Sequence, residues 1–389
     1  MQKLVFVLAA FVWSPFIFGQ QSNGFPDRTV PTIQIQTNRN VELLGFAYFL
    51  GYEGRQLENN DTYLRGRAIR KRDWYGYGLS LYRHYKTYEH SKHLAVVVAF
   101  AENIWLDYLI HLLIQLDDFP HAKLKDEIRE SAYLRFSAKR DPEEARKNVA
   151  LFIEAMNQLY REVDFDTYFR QNQSKYANAL AQVKKGLPDK RFIPALEDFY
   201  GQRFDRYTLV PSLTIPTGMG FGVSHTLQDK TLIFHVFGPF GLQNFSNESN
   251  VDMGFDDRKH LLELSTHEFG HSFVNPAIDQ LPPELITGTE TLFIPIKSDM
   301  ANQGYTRWKA CLYEHFVRAG EIIIAQNLGN HADAQRLKTH YIEDRKFIYL
   351  PAIVEELEVY NKIRTRSYQQ VVETAMKKLV KTVSEKSTE

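Results

Sequence analysis

Two histidines four residues apart, with a glutamate directly after the first, constrain this chain more than any other feature: His267-Glu268-Phe269-Gly270-His271. At 3.6 residues per turn, positions i and i+4 lie on one face of an α-helix, so both imidazoles can reach a single metal ion. Glu268 is rotated about 100° from His267, which puts it beside such an ion rather than on it. From there it can take a proton from water whose pKa zinc has lowered and pass it to a leaving amine. The spacing therefore predicts a helix first and a hydrolytic metal site second.

The flanks agree with a helix. Asp256-Asp257 can cap its start, Leu261, Leu264 and Phe273 supply apolar positions, and Asn275-Pro276 is expected to stop it soon after His271. Upstream, Tyr207 to Ile215, Gly220 to Thr226 and Thr231 to Phe237 are short segments of β-branched and aromatic character, separated by Pro216-Thr217-Gly218 and by Gln228-Asp229-Lys230. They predict a small twisted sheet. An alternating stretch, Thr32 to Gln36, adds a strand near the start, and Asn38 or Asn40 is placed to cap a helix through Val41 to Leu50. From Trp74 to Gly186 long helical patterns dominate, and helical periodicity returns at Thr306 to Gln326 and from Asp333 onward. The expected class is α+β: a mixed sheet with a metal helix, a largely helical N-terminal region (21–186 with its strand) and a catalytic region with C-terminal helices (187–389).

A catalytic zinc usually takes three protein ligands and keeps one open position. A third histidine six residues past His271 is excluded, because position 277 is Ala277 and position 274 is Val274 rather than glycine. A glutamate on a second helix remains. Glu314, within the apolar-periodic run Trp308 to Ala319, is the stronger candidate, and Asp299 is the alternative. Arg318, four residues after Glu314, is spaced to pair with it, either as a surface ion pair or as a partner that orients the ligand. Tyr305, Tyr313, His315, Tyr341 and Tyr360 are all open as donors to a developing oxyanion. A second histidine group, His84, His90 and His93, lies among arginine and lysines and reads as a solvated face.

The motif with a downstream helical glutamate resembles the gluzincin class of zinc metallopeptidases. The wider run His267 to Pro276, with the later Glu314-to-Arg318 spacing, also resembles exported bacterial proteins grouped as a domain of unknown function. The resemblance implies zinc, one ion per chain, held by His267, His271 and Glu314, with Glu268 activating water on a peptide or protein substrate. It also implies a sheet strand that pairs with extended substrate, for which Thr231 to Phe237, carrying His235, is the candidate segment, an interior strand being the equally weighted alternative. The thermolysin-like group has an aspartate four residues after the third ligand, where this chain has Arg318, so kinship with that group is not implied.

Composition sets the outer limits. Of 389 residues 44% are hydrophobic, enough for a large core, and Lys plus Arg equals Asp plus Glu at 47 each, so no basic surface points to nucleic acid. Met1-Gln2-Lys3 followed by the apolar run Leu4 to Phe18 and Gly19 reads as a secretory signal peptide over residues 1–20, implying export to a periplasm or the outside without stable membrane insertion. The single cysteine, Cys311, permits no internal disulfide and reads as a small buried hydrophobe. The favoured expectation is an exported zinc metallopeptidase. The rivals are a zinc hydrolase of a non-peptide amide or ester, such as a cell-wall component, and a binding protein whose metal site is structural or vestigial.

Overall fold

The computed structural model describes residues 32–60, 62–64, 67–243 and 251–386, and the expected signal peptide lies outside them. The fold is α+β, with one four-stranded mixed sheet set among helices. Strands β1 (Gln34–Ile35), β2 (Arg206–Pro211), β3 (Gly220–Leu227) and β4 (Lys230–Phe237) lie in the order β1-β2-β4-β3. β1 runs parallel to β2 and β2 parallel to β4, while β3 is antiparallel to β4. The hairpin joining β3 to β4 turns on Gln228 and Asp229, both at positive φ (49° and 63°), the conformation whose twist suits a two-residue hairpin loop.

This order decides between the two readings of one segment, against pairing with substrate. Thr231 to Phe237 is an interior strand, hydrogen-bonded on both sides, so it has no free edge to offer a substrate; the edge belongs to β3. Burial explains the difference, since β4 reads as a nearly continuous apolar run that is covered on both faces.

The motif helix spans Arg258–Asp279, and Asp257 caps it by accepting from the His260 amide. It does not stop at Pro276 but continues one turn past it, with the Pro276 carbonyl accepting from Gln280. Proline removes one backbone bond in mid-helix, a local cost of roughly 3 kcal/mol. Tertiary packing offsets it: Val274, Ala277 and Ile278 are buried, and Gln369 donates to the Ala277 carbonyl at 3.0 Å. The extra turn keeps Asn275 helical, and the site uses that residue.

The motif helix lies against the sheet and against a second long helix, Trp308–Asn327, here the glutamate helix. Phe269 points away from the metal side, with Phe192, Tyr207 and His235 around its ring. Close approach to the sheet depends on a missing side chain, because a Cβ on Gly222 would stand 2.0 Å from the Glu268 carbonyl oxygen. Tyr200 fills the seam between the two helices, stacked on Phe273 at 4.5 Å; its hydroxyl occupies the space that a Cβ on Gly320 would need. A shorter helix, Leu106–Leu113, crosses β3 from the N-terminal region and is called the cover helix below. Among the described residues no single helix is long and apolar enough to cross a membrane.

Candidate metal centre

His267, His271 and Glu314 each offer a ligand atom, and the three atoms lie within 4.8 Å of one another. Helical spacing sets the two histidines on one face of the motif helix, and the glutamate helix delivers Glu314 from the opposite side. The imidazole Nε2 atoms are 3.2 Å apart, and the Glu314 carboxylate oxygens stand 3.4 Å from His271 Nε2 and 3.7 Å from His267 Nε2. The histidine side chains keep 16% and 18% of their surface exposed, so the cluster opens to solvent on that side.

The outer nitrogens decide what the inner ones can do. His267 Nδ1 lies 2.5 Å from Glu321 Oε1, and His271 Nδ1 lies 3.2 Å from Asn275 Oδ1. Both partners accept, so each Nδ1 carries the proton and each Nε2 turns a lone pair inward. Two lone pairs and a carboxylate facing one another repel unless a cation, or a proton on one ring, sits between them. In the metal-free chain His271 takes that proton. Burial opposes the charged ring, but the hydrogen bond and charge of Glu314, with help from Glu268 and Asn275, raise it to about 9.

Charge around the cluster is similarly unbalanced. Glu268, Glu314 and Glu321 are buried carboxylates, and Arg318, 5% exposed, is the buried guanidinium beside Glu314 and Glu321. Arg318 donates to Glu314 Oε2 at 2.9 Å and is held between the faces of Tyr341 and Phe347, 4.6 and 4.8 Å from their centroids. Burial favours a neutral acid at Glu314, yet His267, Arg318 and His271 outweigh it and hold the group well below the usual carboxylate range. Glu321 is lowered in the same way by His267, Arg318 and the Tyr341 hydroxyl against the penalty of burial. With both imidazoles neutral, as metal ligation requires, three ionised carboxylates against one guanidinium leave a double negative charge for a divalent ion to neutralise, so the residues present fit zinc.

Glu268 has a different environment. Burial raises its carboxyl above the ordinary value, the charges of His267 and His271 offset this only in part, and the Gly222 amide donates to it. A raised carboxylate beside a metal site is a better proton acceptor than a free one. Arg318 is thus a positioning partner of Glu314 and no surface residue.

The other candidates are not gathered at the cluster. His235 is fully buried between β4 and the motif helix, with Nδ1 3.0 Å from Ser265 Oγ, and burial keeps it neutral. His315 is fully buried on the far face of the glutamate helix, donating from Nδ1 to the Cys311 carbonyl at 2.7 Å. Tyr313 turns away to donate to Asp279, and Asp299 is exposed on the short helix Lys297–Ala301. Tyr341 is committed to Glu321 and Tyr360 to the Phe199 carbonyl, which leaves Tyr305, whose hydroxyl accepts from Arg318 at 3.5 Å. His84 and His90 are exposed, and no metal cluster among the described residues includes them. Cys311 is buried, and burial pushes its thiol up to about 12, as suits a small hydrophobe.

Sequence reasoning did not single out Glu321, Asn275 or Gly222. Glu321 did carry a signal, being seven residues and two turns from Glu314 on one helical face. Asn275 was hidden by the proline after it.

The family model described as Domain of unknown function (DUF4932) matches residues 33–381, nearly all of the described chain. No curated protein and no solved structure matches.

Proposed function

Since the chain belongs to the DUF4932 family, whose description assigns no activity, we propose from the site itself that it is a zinc-dependent hydrolase of gluzincin type, acting on peptide bonds. The observation that carries this reading is the convergence of two imidazole Nε2 atoms and a buried carboxylate on one point, with Glu268 beside it. The apolar leader supports export of the protein.

His267, His271 and Glu314 would hold the ion, which when bound supplies Lewis acidity at the scissile carbonyl and lowers the pKa of water. Glu268 takes the proton from the attacking water and gives it to the leaving nitrogen, with the Gly222 amide fixing its carboxylate. Glu321 and Asn275 hold the two imidazoles in the productive tautomer. Tyr305 is the uncommitted hydroxyl on the Arg318 side and is assigned to the oxyanion; burial keeps it protonated and so able to donate. The exposed edge of β3 offers main-chain groups to an extended substrate.

The test is elemental zinc analysis of the purified chain with peptide-library digestion, on the wild type, His271→Ala and Glu268→Gln. Zinc near one per chain, lost in His271→Ala, is expected. Glu268→Gln should keep the zinc and lose peptide hydrolysis; retained hydrolysis in that variant would refute the assigned role.

A further inference from the structure

The edge strand β3 is open along only part of its length. Its two-residue hairpin makes Leu227 and Lys230 a hydrogen-bonded pair, and the alternation of an antiparallel ladder then leaves Thr226, Ser224, Gly222 and Gly220 with backbone groups turned away from β4. Two of these already have partners. The Gly222 amide serves Glu268, and the Ser224 carbonyl accepts from His111 Nε2 of the cover helix at 2.9 Å. A chain added to this edge can pair with Gly220 and with the carbonyl of Gly222 but is stopped at Ser224.

The stop has a polarity. In antiparallel addition, the slightly more stable mode, the amino-terminal part of the substrate lies toward the carboxy-terminal end of β3. That is the closed end, so little of the substrate fits on the amino-terminal side of the bond beside Glu268. The same helix carries a carboxylate there. Asp107 is four residues before His111, hence on the same face and about 6 Å back along the axis. Its Oδ1 is buried, and the carboxyl group is met by the backbone amides of Asp107 and Tyr108 but by no hydrogen-bonding side chain. Arg135 and His271 are the cationic groups that act on it, and Arg135 is engaged with Tyr108, donating to its hydroxyl at 2.5 Å and lying over its ring. A carboxylate without a side-chain partner, on the helix that closes the edge and near enough to His271 to feel its charge, is suited to a cation supplied by the substrate.

We propose that the site acts as an aminopeptidase: Asp107 binds the α-ammonium group of the substrate, and the cover helix, pinned by His111 to Ser224, limits the amino-terminal side of the scissile bond to about one residue. This rests on the hydrolase reading above and narrows its substrate class. One water is consumed per turnover. Its hydroxyl joins the carbonyl carbon of the first residue, the C–N bond breaks, and the proton passes to the new amine.

The experiment uses the zinc-loaded chain and one peptide in three forms: free at both ends, N-acetylated, and C-terminally amidated. Calorimetric binding to zinc-loaded Glu268→Gln should favour the free and amidated forms over the acetylated form at least tenfold. Asp107→Asn placed on that background should remove the preference while leaving the weak affinity for the acetylated form unchanged, a pattern that a damaged fold would not give. With the wild type, mass spectrometry should show stepwise release from the amino terminus of the free and amidated peptides. Equal binding of free and acetylated forms, or no binding of either, overturns the proposal. Cleavage of internal bonds in the acetylated peptide overturns it while leaving the peptidase reading intact. Ammonium-selective binding without any hydrolysis by the wild type sinks the peptidase reading and leaves the ammonium site standing.

Discussion

Glu321→Gln tests whether the groups behind the histidines tune the metal site. Glu321 accepts from His267 Nδ1 at 2.5 Å through one carboxylate oxygen and from the Tyr341 hydroxyl through the other. Glutamine preserves the shape and one acceptor, so His267 keeps its orientation, but the negative charge that makes the ring a stronger donor to zinc is gone. Loss of such a partner typically weakens metal binding about 10–100-fold, or about 1.4–2.7 kcal/mol. The metal-free protein should not be destabilised to match, because the substitution removes one of three buried carboxylates crowded around the two histidines. Zinc affinity is measured by competition with a chromophoric chelator at fixed pH, alongside thermal unfolding with and without zinc. The zinc-dependent part of the stability should shrink by the same free energy as the affinity. A folded Glu321→Gln protein with unchanged zinc affinity would refute the reasoning that Glu321 sets the basicity of His267.

Three further outcomes follow from particular contacts. Arg318→Met leaves the buried Glu314 without its guanidinium partner, so the metal-free protein should lose about 3–5 kcal/mol in urea unfolding, with zinc restoring part of the loss; equal losses with and without zinc would argue against a shared charge balance. Gly222→Ala forces a Cβ into the Glu268 carbonyl and should cost about 1–3 kcal/mol while disturbing the Glu268 carboxylate, and unchanged stability would mean that the helix is not pressed onto β3 as described. Burial, countered only in part by Ser212, Tyr176, Thr214 and the Leu213 amide, raises Glu42 from 4.5 to about 7. Its folded value lies above its unfolded one, so the stability it permits is complete below pH 4.5 and falls by about 3 kcal/mol as pH rises through 7. Glu42→Gln should flatten that part of the stability profile, and identical slopes for the two proteins would remove Glu42 as its source.

Local chemistry made much of the site legible. The helix around His267 and His271 was readable because the i,i+4 spacing, the Asp257 cap and the apolar positions are all properties of one segment. The strands at 206–211, 220–227 and 230–237 were readable from β-branched content, and Glu314 from its place on a long periodic helix. The end of the motif helix was misread because proline's cost is local, while the contacts that override it, such as Gln369 on the Ala277 carbonyl, come from 92 residues away.

What the sequence determined by itself was therefore the set of short-range facts: which residues are helical, which are extended, and which pair of histidines shares a face. Strand order, and with it the identity of the edge, was decided only in three dimensions, since the apolar run of β4 marks it for burial but does not say which strands flank it. The same holds for the groups behind the ligands. Glu321 reaches His267 across 54 residues and His111 reaches Ser224 across 113, and no periodicity within one segment encodes a contact made between two. The tertiary structure turned a two-histidine helix into a buried, acid-rich cluster with an excess of negative charge, because packing alone brings distant carboxylates and a guanidinium together out of water.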